Sequence, residues 1–305
     1  CGMHHKCNAM CFTCLFSFSH RNCTKMKIAS FNARRFGVKK CSDPKVSAVI
    51  TKDLWLNTIL ATAAMKHSQI WAAISQKHCS DERYNYILST PLGRKEYKEQ
   101  YLFVYREEQV KVKDTYQYED MQHGDEDSFA REPFIVRFEA KKSALKDFVL
   151  IPIHTTPKDS VQEIDELYDV YEHVKEKWGT ETKNIILLGD FNADGAYVSN
   201  KKMKTIRLRT DPDLHWLIDD DTDTTAINTT DFSYDRIVVH SSILKHVVPN
   251  SAKPFNFQEE YKMSYEEAVA VSDHYPVEVE FNPAKGIKQN AKFFFLKKPK
   301  KMQLH

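Results

Sequence analysis

Cysteine is absent from most of this chain: all seven, at positions 1, 7, 11, 14, 23, 41 and 79, fall in the first 79 of its 305 residues. The rest can hold no disulfide among its own residues, which favours a reducing compartment or a body that is stable without cross-links. Glycine is scarce, at 8 residues, and no stretch rich in Gly, Pro or Ser marks a linker before the C-terminal tail. No internal repeat is visible. No apolar run is long enough to span a membrane; Leu54 to Met65 comes nearest and is too short. Cys11 to Phe18 is only briefly apolar and lacks a convincing signal-peptide cleavage site. The formal net charge of +2 leaves no overall electrostatic bias, so any nucleic-acid footprint must be local. Acid is missing after Glu280, where Lys285, Lys288, Lys292, Lys297, Lys298, Lys300 and Lys301 form a basic tail. Such a block is ordinarily solvated and disordered; an interaction arm or a nuclear address is the alternative.

With 42% hydrophobic and 28% charged residues, the composition is that of a soluble globular protein with a core sufficient for one large domain. Met26 to Asn32 alternates as a strand and opens an ordered body expected over residues 26–282. Residues 1–25 are an unassigned extension, expected to be disordered or artefactual, and 283–305 are the basic tail. The spacing of Cys7, Cys11 and Cys14 admits a metal or iron–sulfur site, but no binding domain recognisably follows. Asp53 to Gln76, Ala-rich and without Gly or Pro, predicts a helix. Leu102 to Tyr105, Pro133 to Phe138 and Asp147 to His154 predict strands. Ser160 with Glu163 three residues on reads as a capping box. Val161, Ile164, Leu167, Tyr168, Tyr171, Val174 and Trp178 then recur at helical spacing up to Gly179. Asn184 to Gly189, Ile237 to Val239 and Val277 to Phe281 supply further strands. Many short strands with a few long helices predict an α/β or α+β layered sheet domain.

Polar residues collect where these strands end: Asn32, His154, Asp190, Asn192, Asp235, and Asp273 with His274. Side chains at strand ends converge on one rim of a sheet, where sites form. Taken singly, Asp190-Phe191-Asn192 reads as a strand-capping turn, His154 as a loop residue, and Tyr234-Asp235-Arg236 as a surface ion pair. Their joint occurrence points to metal-assisted phosphodiester cleavage. Asp190, Asn192 and Asp273 suit Mg²⁺, which takes few oxygen ligands and retains water. One histidine would take a proton from water and a second would protonate the leaving oxygen.

These residues resemble the deoxyribonuclease I family, within the wider endonuclease/exonuclease/phosphatase fold. The matching segments include Lys27-Ile28-Ala29-Ser30-Phe31-Asn32, Pro91-Leu92-Gly93-Arg94, Tyr97-Lys98-Glu99-Gln100-Tyr101, Arg131-Glu132-Pro133, Pro152-Ile153-His154-Thr155-Thr156-Pro157, Gly189 to Asn192, Ser233 to Ile237 and Ser272 to Pro276. The similarity runs from about Tyr84 to Phe281, with an outpost at 26–37. The Lys-rich tail and Tyr97-Lys98-Glu99-Gln100 are most similar to the deoxyribonuclease-gamma-like branch. The resemblance implies a four-layer sandwich of two packed mixed β-sheets flanked by helices. It further implies a monomeric endodeoxyribonuclease that hydrolyses DNA with Mg²⁺ and Ca²⁺ and little sequence specificity, with actin as a partner of some relatives. By position, His274 matches the general base, oriented by Asp235, and His154 the general acid, oriented by Glu99. Asn32, Asp190, Asn192 and Asp273 match the positions that hold metal and scissile phosphate, and Tyr97, Arg131 and Tyr234 those that contact DNA.

Two departures accompany the resemblance. The family places a metal-binding glutamate at the end of the second core strand, between the Phe-Asn and Pro-Leu-Gly motifs. Here Leu54 to Met65 contains no acid, and residues 41–83 are atypical. An alternative or mistranslated exon, divergence into a catalytically impaired homologue that binds DNA or protein, or a carboxylate approaching from elsewhere would each account for this. The family also commonly carries a cysteine pair after Gly-Asp-Phe-Asn-Ala and before Tyr-Asp-Arg; here Asp194-Gly195-Ala196 and Asp231-Phe232-Ser233 stand there instead. An intracellular location is therefore expected, with the nucleus as one address within it and secretion as the alternative.

Overall fold

The structure is a computed structural model and describes residues 25–37, 40, 42–63, 83–96, 98–120, 127–179 and 184–286, all within one compact unit. The cysteine spacing near the N-terminus, the lysines from 288 onward, Tyr97 and residues 64–82 lie outside the described residues.

Among the described residues, twelve strands build two sheets. In one, β11 (Lys253–Pro254), β12 (Val277–Phe281), β1 (Met26–Asn32), β2 (Ile59–Ala63), β4 (Tyr101–Arg106) and β3 (Tyr84–Leu88) follow in that spatial order. In the other the order is β5 (Lys111–Gln117), β6 (Phe134–Ala140), β7 (Lys146–His154), β8 (Ile185–Asp190), β10 (Asp235–His240) and β9 (Leu214–Trp216). Each sheet has one parallel pair, β1 with β2 and β7 with β8; the other pairings are antiparallel.

Alternation along the strands makes the layers. Met26 and Ile28 of β1 and Phe148 and Leu150 of β7 enter one core between the sheets. Val149, Ile151 and Ile153 instead meet helix α2 (Ser160–Lys177) through Ile164, Leu167 and Val174. Ala29 and Phe31 meet α1 (Pro44–Leu56) with α3 (Phe257–Glu260) and α4 (Tyr265–Val271). The result is helix, sheet, sheet, helix, the four-layer sandwich that was expected. No described helix is long and apolar enough to cross a membrane.

The helix predicted over Asp53 to Gln76 is corrected. Helix α1 ends at Leu56 and a strand, β2, begins at Ile59. The Asn57 side chain bonds back to the Asp53 carbonyl at 2.8 Å, and Thr58 N–H donates to the Lys27 carbonyl at 2.8 Å, joining the chain to β1. Ile59 and Leu60 then fill a slot between β1 and β4, and this burial on both faces outweighs the helical propensity of alanine. The second core strand is therefore present, with residue 63 registered against Asn32. Its sequence, Ile-Leu-Ala-Thr-Ala, contains no carboxylate.

The capping box at Ser160 also differs. Asp159 is the N-cap without a side-chain cap bond, and the Glu163 carboxylate accepts from Thr156 N–H at 2.8 Å. A capping box does form at Ser264 and Glu267, ahead of α4.

Asp53 is buried on α1; its Oδ1 accepts from the Tyr261 hydroxyl at 3.0 Å and its Oδ2 has no hydrogen-bond partner. Burial pushes its carboxyl up to about 8. The unfolded chain ionises from about 3.8, so the folded state binds the extra proton between these values and stability falls as pH rises through that window. Asp53→Asn removes the titration. Urea unfolding at pH 8 is expected to show a gain of about 1–3 kcal/mol over wild type, shrinking to near zero at pH 4.

Candidate active site

Strand order converts scattered sequence positions into neighbours. Asn32, His154 and Asp190 are the last residues of β1, β7 and β8, Asp235 is the first of the antiparallel β10, and His274 lies three residues before β12. The β7 and β8 ends meet in register, His154 against Asp190, and Asp190 is also opposite Asp235. Gly189 permits this approach: its φ is +147°, and a Cβ there would lie 2.0 Å from the Ile153 carbonyl oxygen. Gly189→Ala is expected to cost at least about 3 kcal/mol, read as a loss of soluble protein or a sharply lowered midpoint of thermal unfolding.

Asp190 is the centre of the cluster. Its Oδ2 accepts from the Asn32 amide at 2.9 Å, joining the two sheets, and its Oδ1 accepts from Asn192 N–H at 2.9 Å. The Nε2 atoms of His154 and His274 each lie 3.7 Å from the same Oδ2. On their other nitrogens, His154 Nδ1 meets Glu99 Oε2 at 3.0 Å and His274 Nδ1 meets Asp235 Oδ2 at 2.6 Å. Two imidazoles, each oriented by its own carboxylate, thus present Nε2 to one shared anion.

Burial opposes charge on Asp190, Glu99 and His274, and for these three the partners decide the outcome. Asp190 and Glu99 would be pushed up by burial, but the histidines beside them, helped by Arg131 at Glu99, hold both below the usual carboxylate range. For the His274–Asp235 pair, burial works against the imidazolium, yet Asp235 and Asp190 together keep His274 well above the ordinary imidazole range.

Asp190, Asp235 and His274 each place a ligand atom within 4.8 Å of the others. The 2.6 Å bond commits Asp235 Oδ2 and His274 Nδ1 to one another, and Asp190 is the member of the three outside that bond. Asp273 Oδ1 is buried without a hydrogen-bond partner, while its Oδ2 pairs with Arg34 at 3.2 Å. The carboxylates of Asp190 and Asp273 and the amide oxygen of Asn192 are of the donor type that suits a hard divalent cation, but only Asp190, Asp235 and His274 form a cluster within ligand distance among the described residues, and β2 contributes no carboxylate.

Other predicted residues sit nearby in unequal roles. Arg131 donates twice to the His154 carbonyl, at 2.9 and 2.7 Å, and pairs with Glu99 at 3.3 Å. Tyr234 lies 6.1 Å from His274, ring to ring. The surface ion pair that Asp235 and Arg236 suggest when taken singly does not form: Arg236 is buried and bonds to Asp220 and to the carbonyls of Ser233 and Ile218. Sequence reading missed Thr224, whose hydroxyl donates to Asp235 Oδ2 and accepts the N–H groups of Tyr234 and Asp235. It also missed Ser272, which ties Asn32 O to His274 N–H. Isolated Ser and Thr residues carry no signal of such a role. A cleft of about 400 Å³ bordered by Lys158, Asp159, Asp165 and Lys202 contains none of the strand-end residues.

The profile of the Endonuclease/Exonuclease/phosphatase family matches residues 51–274. Human deoxyribonuclease gamma is 45% identical over 294 residues, covering 94% of this chain and 96% of its own length. Rabbit (Oryctolagus cuniculus) deoxyribonuclease-1 is 45% identical over 262 residues, covering 83% and 92%. The chain belongs to the deoxyribonuclease I family. Within the broader fold, a humanized D. rerio TDP2 superposes with a TM-score of 0.59 at 15% identity, over 85% of this chain and 99% of that one. The human Nocturnin catalytic domain does so at 0.59 and 12% identity, over 86% and 94%. These distant structures share the fold; the kinship with the deoxyribonucleases is carried by sequence. For this member of the deoxyribonuclease I family, the match to deoxyribonuclease gamma extends through the atypical 41–83 stretch.

Proposed function

We propose that this protein is an endodeoxyribonuclease that hydrolyses DNA phosphodiester bonds with Mg²⁺ and Ca²⁺ and with little sequence specificity. The observation that carries the reading is the paired imidazoles, His154–Glu99 and His274–Asp235, facing Asp190 from both sides. His274 Nε2 takes the proton of the attacking water, and Asp235 holds Nδ1–H so that Nε2 is the accepting nitrogen. His154 Nε2 gives a proton to the leaving oxygen, with Glu99 in the corresponding role. Asp190, Asn192, Asp273 and Asn32 would hold the divalent cation, which would supply charge neutralisation for the phosphate and would offset the charge of Asp190, which with Asp235 favours the proton on His274. Tyr97 and Tyr234 contact DNA; Arg131 does so only with what its bonds to His154 and Glu99 leave free. Contacts of this kind go to phosphate and carry little sequence information.

The missing carboxylate in β2 favours one second reading, a DNA- or protein-binding homologue with impaired catalysis. Nicking of supercoiled plasmid decides between them. The nuclease converts it to open circles with Mg²⁺ and Ca²⁺ and stops in EDTA; the binding homologue retains plasmid in a salt-dependent manner and leaves it intact.

A further inference from the structure

We infer that Phe232 is a positioning residue for the reaction, acting on His274 through Tyr234, and that Gly195 is the hollow in which its ring is seated. The catalytic consequence rests on the nuclease reading above; the packing does not.

Gly195 has φ +58°, and a Cβ there would lie 2.7 Å from Phe232 Cε1 and 3.1 Å from Cδ1. The ring thus fills the volume that a side chain at 195 would need. The two loops are joined by a polar bond as well, Ser233 N–H donating to Asp194 Oδ2 at 2.9 Å, while Asp194 Oδ1 accepts from Gly195 N–H at 2.6 Å. From this interlock the rings run toward the acid–base centre. Phe232 stacks on Tyr234 at 5.1 Å and 22°, Tyr197 lies 5.5 Å from Tyr234, and Tyr234 lies 6.1 Å from His274.

The division of labour in this loop singles out Phe232. The Thr224 hydroxyl receives the N–H groups of Tyr234 and Asp235 at 3.0 and 3.1 Å, which fixes their backbone and leaves the Tyr234 ring to its aromatic neighbours. Of those, Tyr197 is exposed (37%), whereas Phe232 is half-buried and wedged against backbone at 195. The same residue therefore reaches His274 by two routes: through the ring of Tyr234, and through the chain to Asp235, which holds His274 Nδ1 at 2.6 Å. Displacing a reacting group by about 1 Å costs up to about a hundredfold in rate, so a wedge of this kind has catalytic weight without touching substrate.

The test uses the full chain and the variants Phe232→Ala, Phe232→Tyr, Gly195→Ala and the Gly195→Ala/Phe232→Ala pair. In ¹⁵N-imidazole spectra at fixed pH, Phe232→Ala is expected to move the His274 signals and leave those of His154 in place. In thermal melts the paired variant is expected to lose less than the sum of the single losses, because removing the ring relieves the clash at 195. For plasmid nicking, kcat of Phe232→Ala is expected to fall about tenfold with KM within about twofold, and Phe232→Tyr to recover most of it. An unmoved His274 signal, additive melts, or an unchanged kcat in an active protein would overturn the inference. If the wild type does not nick at all, the nuclease reading fails by itself, and the spectra and melts still decide the positioning role.

Discussion

His274→Ala is expected to lower plasmid nicking by at least about 10³-fold, with His154→Ala falling within about 10²–10⁴-fold and KM for DNA little changed in either. The magnitudes follow from proton transfer in the transition state, which these imidazoles perform and bulk water replaces poorly. Their equivalence is written in the geometry: each Nε2 stands 3.7 Å from Asp190 Oδ2, and each Nδ1 is held by a buried carboxylate. Because the two act in one step, the double variant should lose little more than the worse single one. Single-turnover nicking of supercoiled plasmid measures this, and a His274→Ala protein that keeps more than about a tenth of wild-type activity would remove His274 from the role of base.

Ala63→Glu is expected to tighten divalent-cation binding at least about tenfold, read by calorimetry with Mg²⁺ alone, and to raise nicking in parallel. Residue 63 ends β2 in parallel register with Asn32, and the Asn32 amide is 2.9 Å from Asp190 Oδ2. A carboxylate at 63 would therefore add an anionic oxygen beside the one already at the junction of the sheets. Without metal the two like charges repel and should lower the unfolding temperature in EDTA; with saturating Mg²⁺ that loss should be recovered or exceeded. A folded variant whose Mg²⁺ affinity equals that of wild type would show that β2 is not where the cation site is incomplete.

Segments buried on both faces were the most legible in the sequence. Asp147 to His154 and Asn184 to Gly189 read as apolar runs because β7 and β8 are central and covered by the second sheet on one side and α2 on the other. Helix α2 was equally plain, since Val161, Ile164, Leu167, Tyr171 and Val174 turn one stripe toward that sheet. Residues 44–63 were not. A stretch without Gly or Pro has no local punctuation, and whether Ile59 to Ala63 is helix or strand depends on an open slot between β1 and β4 that no short window of sequence contains. The edge strand β5, exposed over much of its length, was missed for the opposite reason: polar residues at Lys111, Lys113, Asp114 and Thr115 dilute its pattern.

The sequence by itself determined the layered α/β class, the strand ends at which polar residues gather, and the family, because hydrophobic alternation and motif spacing are local properties of the chain. Only the tertiary structure decided that Asp190 faces two imidazoles at once, that Arg236 is buried and pairs with the exposed Asp220 while Asp235 is left for His274, and that an alanine ends the strand beside Asn32. Those relations join residues as much as 84 positions apart, from Asp190 to His274, and they exist only once two sheets are packed face to face and their strand ends brought to a common rim.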